Sequence, residues 1–398
     1  MIVNQLSLSE AWLMGLDRAY WNFGVLASQT GVAAITEQTQ LNGALLAIEE
    51  INAKGGIAGR PIRPIIYDPG SIPANFATYA RRMLADNNVN IIFGCYMSSQ
   101  RKAVLPIIRE YGALLCYPTM YEGFEFSDNV IYSGAAPNQN NIPMAKYMME
   151  HCGETFCLVG SDYLFPREAN RIFKETIQAL GGSVLSEDYL PLEADAAAVE
   201  PVIDRLVALE PDAIFSTIVG DSTIPFYRGL AKVRAGRRHI PVGSLNTSEA
   251  EIAVMGPSVA SGHLISMPYL SPIDSETNNR FKREYIARFG KAGITSCTEA
   301  AYFQVHLVAQ AIAEIGTDDT HAVVRALHNR RFGAPEGEVW VDPENNHTYL
   351  WPRIAEIGAA GELNIVQDCV APVKPDPYLV FPRDRDDDGR HLLAEVVS

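Results

Sequence analysis

The chain has 398 residues, 47% apolar and 20% charged, enough for two hydrophobic cores of ordinary size. Its 47 acidic residues outnumber 32 basic ones, a formal net charge of −15 that repels a phosphate backbone, so no direct nucleic-acid binding is expected. No stretch approaches the roughly 18 to 20 consecutive apolar residues of a membrane span, and the start carries Glu10, Asp17 and Arg18 where a secretory signal has a basic segment and an apolar core.

Trp21 to Ala27 reads as the first strand. Leu41, Ala44, Leu45, Ile48 and Ile51 then recur at about 3.6 residues and predict a helix that stops at Gly55-Gly56. Further strand–helix units start at Ile65-Ile66-Tyr67, at Asn90 to Phe93 running into a helix that opens at Ser98, and at Ala113 to Cys116. After Gly134-Ala135-Ala136-Pro137-Asn138 a second series follows, with strands near Phe156 to Val159, Val184 to Tyr189, Ala213 to Thr217 and Val242 to Leu245. Helices over Glu276 to Phe289 and Glu299 to Ile315 precede a turn-rich run, Val341 to Asn346.

Apolar strands alternating with amphipathic helices signify parallel sheets covered on both faces. The expected fold class is α/β: two doubly wound parallel-sheet lobes joined by three crossovers near 134–140, 262–268 and 341–347, with a ligand cleft between them. Residues 21–136 with 266–342 are expected in one lobe and 137–265 with 343–380 in the other. Residues 1–20 are then an extension and 381–398 a polar tail.

Six cysteines (Cys95, Cys116, Cys152, Cys157, Cys297, Cys369) occur without Cys-x-x-Cys pairs. A reducing compartment fits this pattern, with disulfides between some pairs left open. Metalloprotease, hydrolase-elbow and P-loop motifs are absent, and the histidines have no metal-ligand spacing. Cys116, between Leu115 and Tyr117, reads as a packed thiol and His347 as a turn residue, so neither catalysis nor a metal or cofactor is expected.

In open α/β sheets ligands sit beyond the carboxyl ends of strands, where helix N-termini present unpaired N–H groups. Four turns answer this description. Gly94-Cys95-Tyr96-Met97-Ser98 offers Tyr96 and a Ser98 hydroxyl to a carbonyl oxygen, although Ser98 or Ser99 can equally cap the helix. The next strand end places Tyr117 and Thr119 at the same sheet edge. On the second lobe Tyr163 and Phe165 form a facing wall, with Pro166 in the first helical turn. Ser244-Leu245-Asn246-Thr247-Ser248 supplies Asn246 and Thr247, with helix capping as the alternative. A further strand-end turn, Gly220-Asp221-Ser222-Thr223, reads chiefly as a cap by Asp221 or Ser222 and stays a secondary ligand candidate.

The motifs Gly94-Cys95-Tyr96-Met97-Ser98, Cys116-Tyr117-Pro118-Thr119, Tyr121-Glu122-Gly123, Ala136-Pro137-Asn138-Gln139-Asn140, Gly160-Ser161-Asp162-Tyr163 and Ser248-Glu249-Ala250-Glu251 resemble the amide-binding negative regulators of aliphatic amidase operons. These are relatives of the importer-binding proteins for branched-chain amino acids and urea within the type I periplasmic-binding-protein family. The resemblance covers roughly residues 14 to 380 and implies a cytoplasmic sensor of acetamide-like amides that sequesters an RNA-binding antitermination regulator. It implies ligand contacts from Tyr96, Ser98, Tyr117, Thr119 and Tyr163, with Asn246 and Thr247 nearby. Two positions depart from that pattern: Phe165 stands where tyrosine is expected, and Asn246 where threonine is. Phe165 and the Asp342-Pro343-Glu344-Asn345 run also resemble urea-binding importer subunits, which keeps urea as a ligand and a periplasmic importer role as the alternative. The family start aligns with Met14, which leaves residues 1–13 as an extension or the product of a misassigned start.

Overall fold

The computed structural model describes residues 19–233, 238–290 and 293–380. The expected polar tail, all but the last two residues of the N-terminal extension, and the question of the start residue lie outside them.

The first lobe grows from alternating units: β1 (Trp21–Leu26), α1 (Ala34–Ala53), β2 (Ile62–Tyr67), α2 (Pro73–Asp86), β3 (Ile91–Gly94), α3 (Ser98–Tyr111), β4 (Leu114–Tyr117) and β5 (Val130–Tyr132). They form a wholly parallel five-stranded sheet in the order β2-β1-β3-β4-β5. β1, β3 and β4 are buried along their whole length, because side chains alternate between two covered faces. Phe23, Val25, Ile91 and Phe93 enter one core, Leu26, Ile92 and Leu115 the other. The predicted glycine stop of α1 is present: Gly55 and Gly56 have φ of +98° and +77°, and the Gly56 N–H caps Ile51 O at 3.0 Å.

After β5 the chain crosses into α4 (Asn141–His151), β6 (Thr155–Ser161), α5 (Leu164–Ala179), β7 (Ser183–Leu190), α6 (Ala196–Leu209), β8 (Ala213–Thr217), α7 (Thr223–Val233), β9 (Val242–Ser244), α8 (Glu249–Met255), α9 (Pro257–Ala260) and β10 (Leu264–Met267). It returns to the first lobe with α10 (Glu276–Phe289), α11 (Ser296–Ile315), which packs along α1, and α12 (Thr320–Leu327). A small antiparallel sheet of β11 (Arg331–Ala334), β12 (Gly337–Val341) and β13 (Thr348–Tyr349) follows. β14 (Arg353–Ile357) and β15 (Leu363–Asp368) then complete a seven-stranded second sheet, β15-β14-β10-β9-β8-β6-β7. That sheet is mixed, since β14 runs antiparallel to β10 and β15 antiparallel to β14.

The lobe boundaries therefore shift from those expected. The second sheet keeps the chain through Met267, because β10 pairs with both β9 and β14. β13 still pairs with β12, so the final return to the second sheet falls after Tyr349. Arg353 ties two crossings together: its guanidinium donates to Pro268 O at 2.8 Å and to Glu336 O at 3.1 Å.

Candidate functional site

The carboxyl ends of β3 and β4 bring Tyr96, Ser98, Tyr117 and Thr119 to one edge of the first sheet. The backbone there is specialised. Gly94 has φ +146°, and a Cβ on it would lie 2.0 Å from Leu26 O; Cys95 follows at φ +64°. A non-glycine residue in the left-handed region at a strand end marks stored strain beside a site.

The first turn of α3 is capped by Gln100, whose Oε1 accepts from the Tyr96 N–H at 2.7 Å and the Met97 N–H at 2.9 Å. Neither Ser98 nor Ser99 caps this helix through its side chain. The Gln100 amide in turn donates to Glu37 Oε1 at 2.8 Å, while Glu37 Oε2 accepts from the Ser28 N–H. Burial pushes the Glu37 carboxyl up to about 7 against these hydrogen bonds.

Ser98 instead meets a buried ion network that was not among the expected residues. Its hydroxyl donates to Glu122 Oε2 and accepts from Arg101 Nη1 at 3.3 Å. Arg101 is fully buried and pairs with Glu122 Oε1 and with Glu125 Oε1, both at 2.9 Å. It also lies over the Tyr117 and Tyr121 rings, 4.8 and 4.7 Å from their centroids. Burial alone would raise the Glu125 carboxyl; Arg101 and Lys102 outweigh it and hold it at about 2. The spacing was a usable signal: Ser98 and Arg101 are i and i+3 on one helix face, and Glu122 follows Thr119 by three residues.

Tyr117 is completely buried and donates to Tyr96 O at 2.7 Å, so it underlies the site and is no open aromatic wall. Thr119 donates to Cys95 O at 3.3 Å. Burial pushes the Tyr96 and Tyr163 hydroxyls well above their ordinary range, which keeps both protonated.

The second lobe closes over this floor. Tyr163, just before α5, is partly exposed as a residue, but its hydroxyl is buried, within electrostatic reach of Tyr117, Glu122 and Arg101. Phe165 is buried and, with Ile172 and Leu245, walls a narrow slot reaching Glu122 and Asn141 at the hinge. Asn246 faces the Tyr96 hydroxyl across the cleft, and its Oδ1 is buried without a hydrogen-bond partner. Thr247 is held inside the second lobe, 3.0 Å from both the Tyr227 hydroxyl and Ser244 Oγ. Ser248 caps α8 as the alternative reading anticipated, in a reciprocal box with Glu251. Ser222 does not cap: it donates to Leu192 O and accepts from the Ala194 N–H at 2.9 Å, while the Asp221 N–H crosses the cleft to Val32 O at 3.0 Å. A second crossing bond runs from the Thr36 hydroxyl to Glu251 Oε1 at 2.6 Å.

Cys116 is a packed core residue, and burial pushes its thiol up, away from thiolate chemistry. All six cysteines are free thiols. Among the described residues no group of three or more His, Cys, Asp or Glu is placed to hold a metal ion, and no helix is long and apolar enough to cross a membrane.

Two α/β lobes, three crossovers and a polar cleft at strand ends define a type I periplasmic-binding-protein fold. Residues 21–384 match the family model described as periplasmic binding protein domain, and the chain belongs to that family. A Leu/Ile/Val-binding protein homolog 6 from Brucella suis is 23% identical over 302 residues, covering 74% of this chain and 76% of that protein. A leucine-, isoleucine-, valine-, threonine- and alanine-binding protein from Pseudomonas aeruginosa is 22% identical over 80% of this chain and 84% of its own length. Among solved structures, an ABC-transporter solute-binding protein from Rhodopseudomonas palustris in complex with 3,4-dihydroxybenzoic acid superposes with a TM-score of 0.80 at 21% identity, covering 90% of this chain and 98% of that one. A branched-chain amino acid transporter substrate-binding protein from Streptococcus pneumoniae, in complex with isoleucine, gives 0.78 at 17% identity, covering 89% and 100%. These relatives are binding proteins, and this chain belongs to the same family of ligand-binding proteins.

Proposed function

We propose that this chain is the substrate-binding component of an importer for a small neutral amide, with urea, acetamide and propionamide as its ligand class. One observation carries the ligand class: the cation beneath the cleft, Arg101, is already shared between Glu122 and Glu125. The isoleucine and dihydroxybenzoate of the structural relatives each bear a carboxylate, which needs a free cation or a convergent set of donors when it is buried. A neutral amide needs neither; hydroxyls, helix-end amides and aromatic walls suffice for it.

Acetamide has four heavy atoms, so a ceiling of about −1.5 kcal/mol per atom limits its affinity to roughly tens of micromolar. Titration calorimetry with urea, acetamide, propionamide, leucine and benzoate tests the class, and saturable binding of urea or an amide is the expected result. Binding of leucine or benzoate alone overturns it.

The second reading is a cytoplasmic sensor that sequesters an antitermination regulator, and it is supported by the motif run around Tyr96, Tyr117 and Tyr163. The importer role is favoured because the relatives are solute-binding proteins of transporters. Cell fractionation separates the two: periplasmic recovery is expected of the importer component, whereas cytoplasmic recovery with an amide-releasable RNA-binding partner moves the sensor ahead.

A further inference from the structure

The hydroxyl chemistry of the cleft floor has a direction. A serine hydroxyl holds one hydrogen and two lone pairs. Ser98 gives its hydrogen to Glu122 Oε2, and one lone pair is taken by Arg101 Nη1 at 3.3 Å. What remains for a ligand is a lone pair, so Ser98 accepts and does not donate, the reverse of the role expected from sequence. Thr119 has likewise given its hydrogen to Cys95 O. On the opposite lobe Asn246 is 7% exposed, and its Oδ1 has no partner. An acceptor therefore stands on each side of the cleft, beside the protonated Tyr96 and Tyr163 hydroxyls, and a buried acceptor left without a donor is costly.

Resting on the amide reading above, we propose that Glu122, locked in place by Arg101, is a positioning residue that sets ligand specificity. By taking the Ser98 hydrogen it makes the clamp choose ligands by their N–H count, so primary amides and urea bind in preference to N-alkylated amides and carboxylates. Arg101 is essential to this polarity. It fixes Glu122 Oε1 at 2.9 Å and leaves Oε2 for Ser98.

The test is a calorimetric series of acetamide, N-methylacetamide, N,N-dimethylacetamide and acetate, with propionamide as a control for added bulk. Each lost N–H is expected to weaken binding to the unaltered protein by about tenfold, while propionamide stays within a few-fold of acetamide. In Glu122→Gln the new amide oxygen must face Arg101, which leaves its NH2 to donate to Ser98 and frees the serine hydrogen. The preference for acetamide over N,N-dimethylacetamide should then collapse by about tenfold; simple steric exclusion of methyl groups would leave that preference unchanged. Ser98→Ala should flatten the same ratio and decides the matter if Glu122→Gln fails to fold. An unchanged ratio in the folded variants overturns the inference while sparing the amide reading. Failure of the unaltered protein to bind any amide or urea overturns both.

Discussion

At the residue scale, the cleft depends on one buried cation serving several masters. Arg101 neutralises two buried carboxylates, orients Ser98 and stacks on two tyrosines. Arg101→Met keeps volume but leaves Glu122 and Glu125 without it, and loss of one partner of a buried pair costs about 3 kcal/mol or more. A lower urea midpoint at unchanged slope is the expected result. Tyr163 stands in contrast, partly exposed at the cleft wall. Tyr163→Phe should leave the melting temperature nearly as it was and weaken acetamide binding by about tenfold, the usual weight of one ligand hydrogen bond in a closed site. A large loss of stability in that variant would assign the hydroxyl to the fold instead.

At the scale of elements, the segment that leads into the third crossover is pinned to the first lobe by His347. The ring stacks on Tyr132 with centroids 4.2 Å apart, its Nε2 contacts the Tyr121 hydroxyl, and Nδ1 lies 2.6 Å from Asn345 O. Nδ1 therefore carries the proton and donates to the carbonyl, while Nε2 accepts from Tyr121. Burial is the chief cause that lowers the pKa of His347 to about 3 from 6.5. The folded state thus binds fewer protons than the unfolded state between those values, so stability rises with pH across the window and is lost as pH falls from 6.5 toward 3. At pH 5 the loss is about 2 kcal/mol. Denaturant titrations of the unaltered protein and His347→Gln should show this difference shrinking as pH is lowered; parallel curves would refute it. The sequence marked His347 as a turn residue; the turn lies just before it, over 343–345, and His347 itself forms a bridge to Tyr132. Its burial under Tyr132 depended on pairing between residues far apart in the chain, beyond any local pattern.

At the scale of the whole molecule, the lobes are held shut by contacts that no single lobe contains. The Thr36 hydroxyl donates to Glu251, and the Asp221 N–H donates to Val32 O. Thr36→Val removes the first of these nearly isosterically and should weaken ligand affinity about fivefold, since a hydrogen bond is worth about 1 kcal/mol. Gly220 sits at the second contact with φ +71°, and a Cβ there would come within 2.4 Å of Val32 O. Gly220→Ala should prop the cleft open. A larger radius of gyration by small-angle scattering and affinity reduced by about tenfold or more are expected, because apparent affinity scales with the closed fraction. An unchanged radius with ligand present would show that closure does not pass through this contact.

The sequence by itself determined the local units. Apolar strand runs, the Gly55-Gly56 stop and the Ser248 cap are written in short-range periodicity and turn chemistry, and those signals located the strand-end turns that carry Tyr96, Ser98, Tyr117, Thr119, Tyr163, Phe165, Asn246 and Thr247. Tertiary structure alone decided which of these face one another and in what hydrogen-bonding sense. Ser98 became an acceptor because Arg101 and Glu122 converge on it from a helix and a loop, and Tyr117 went beneath the floor because Tyr96 O claimed its hydroxyl. Likewise β10 joined the second sheet because β9 and β14, far apart in sequence, flank it. Such outcomes follow from the requirement that every buried donor, acceptor and charge find a partner in three dimensions, and periodicity along a chain carries no record of them.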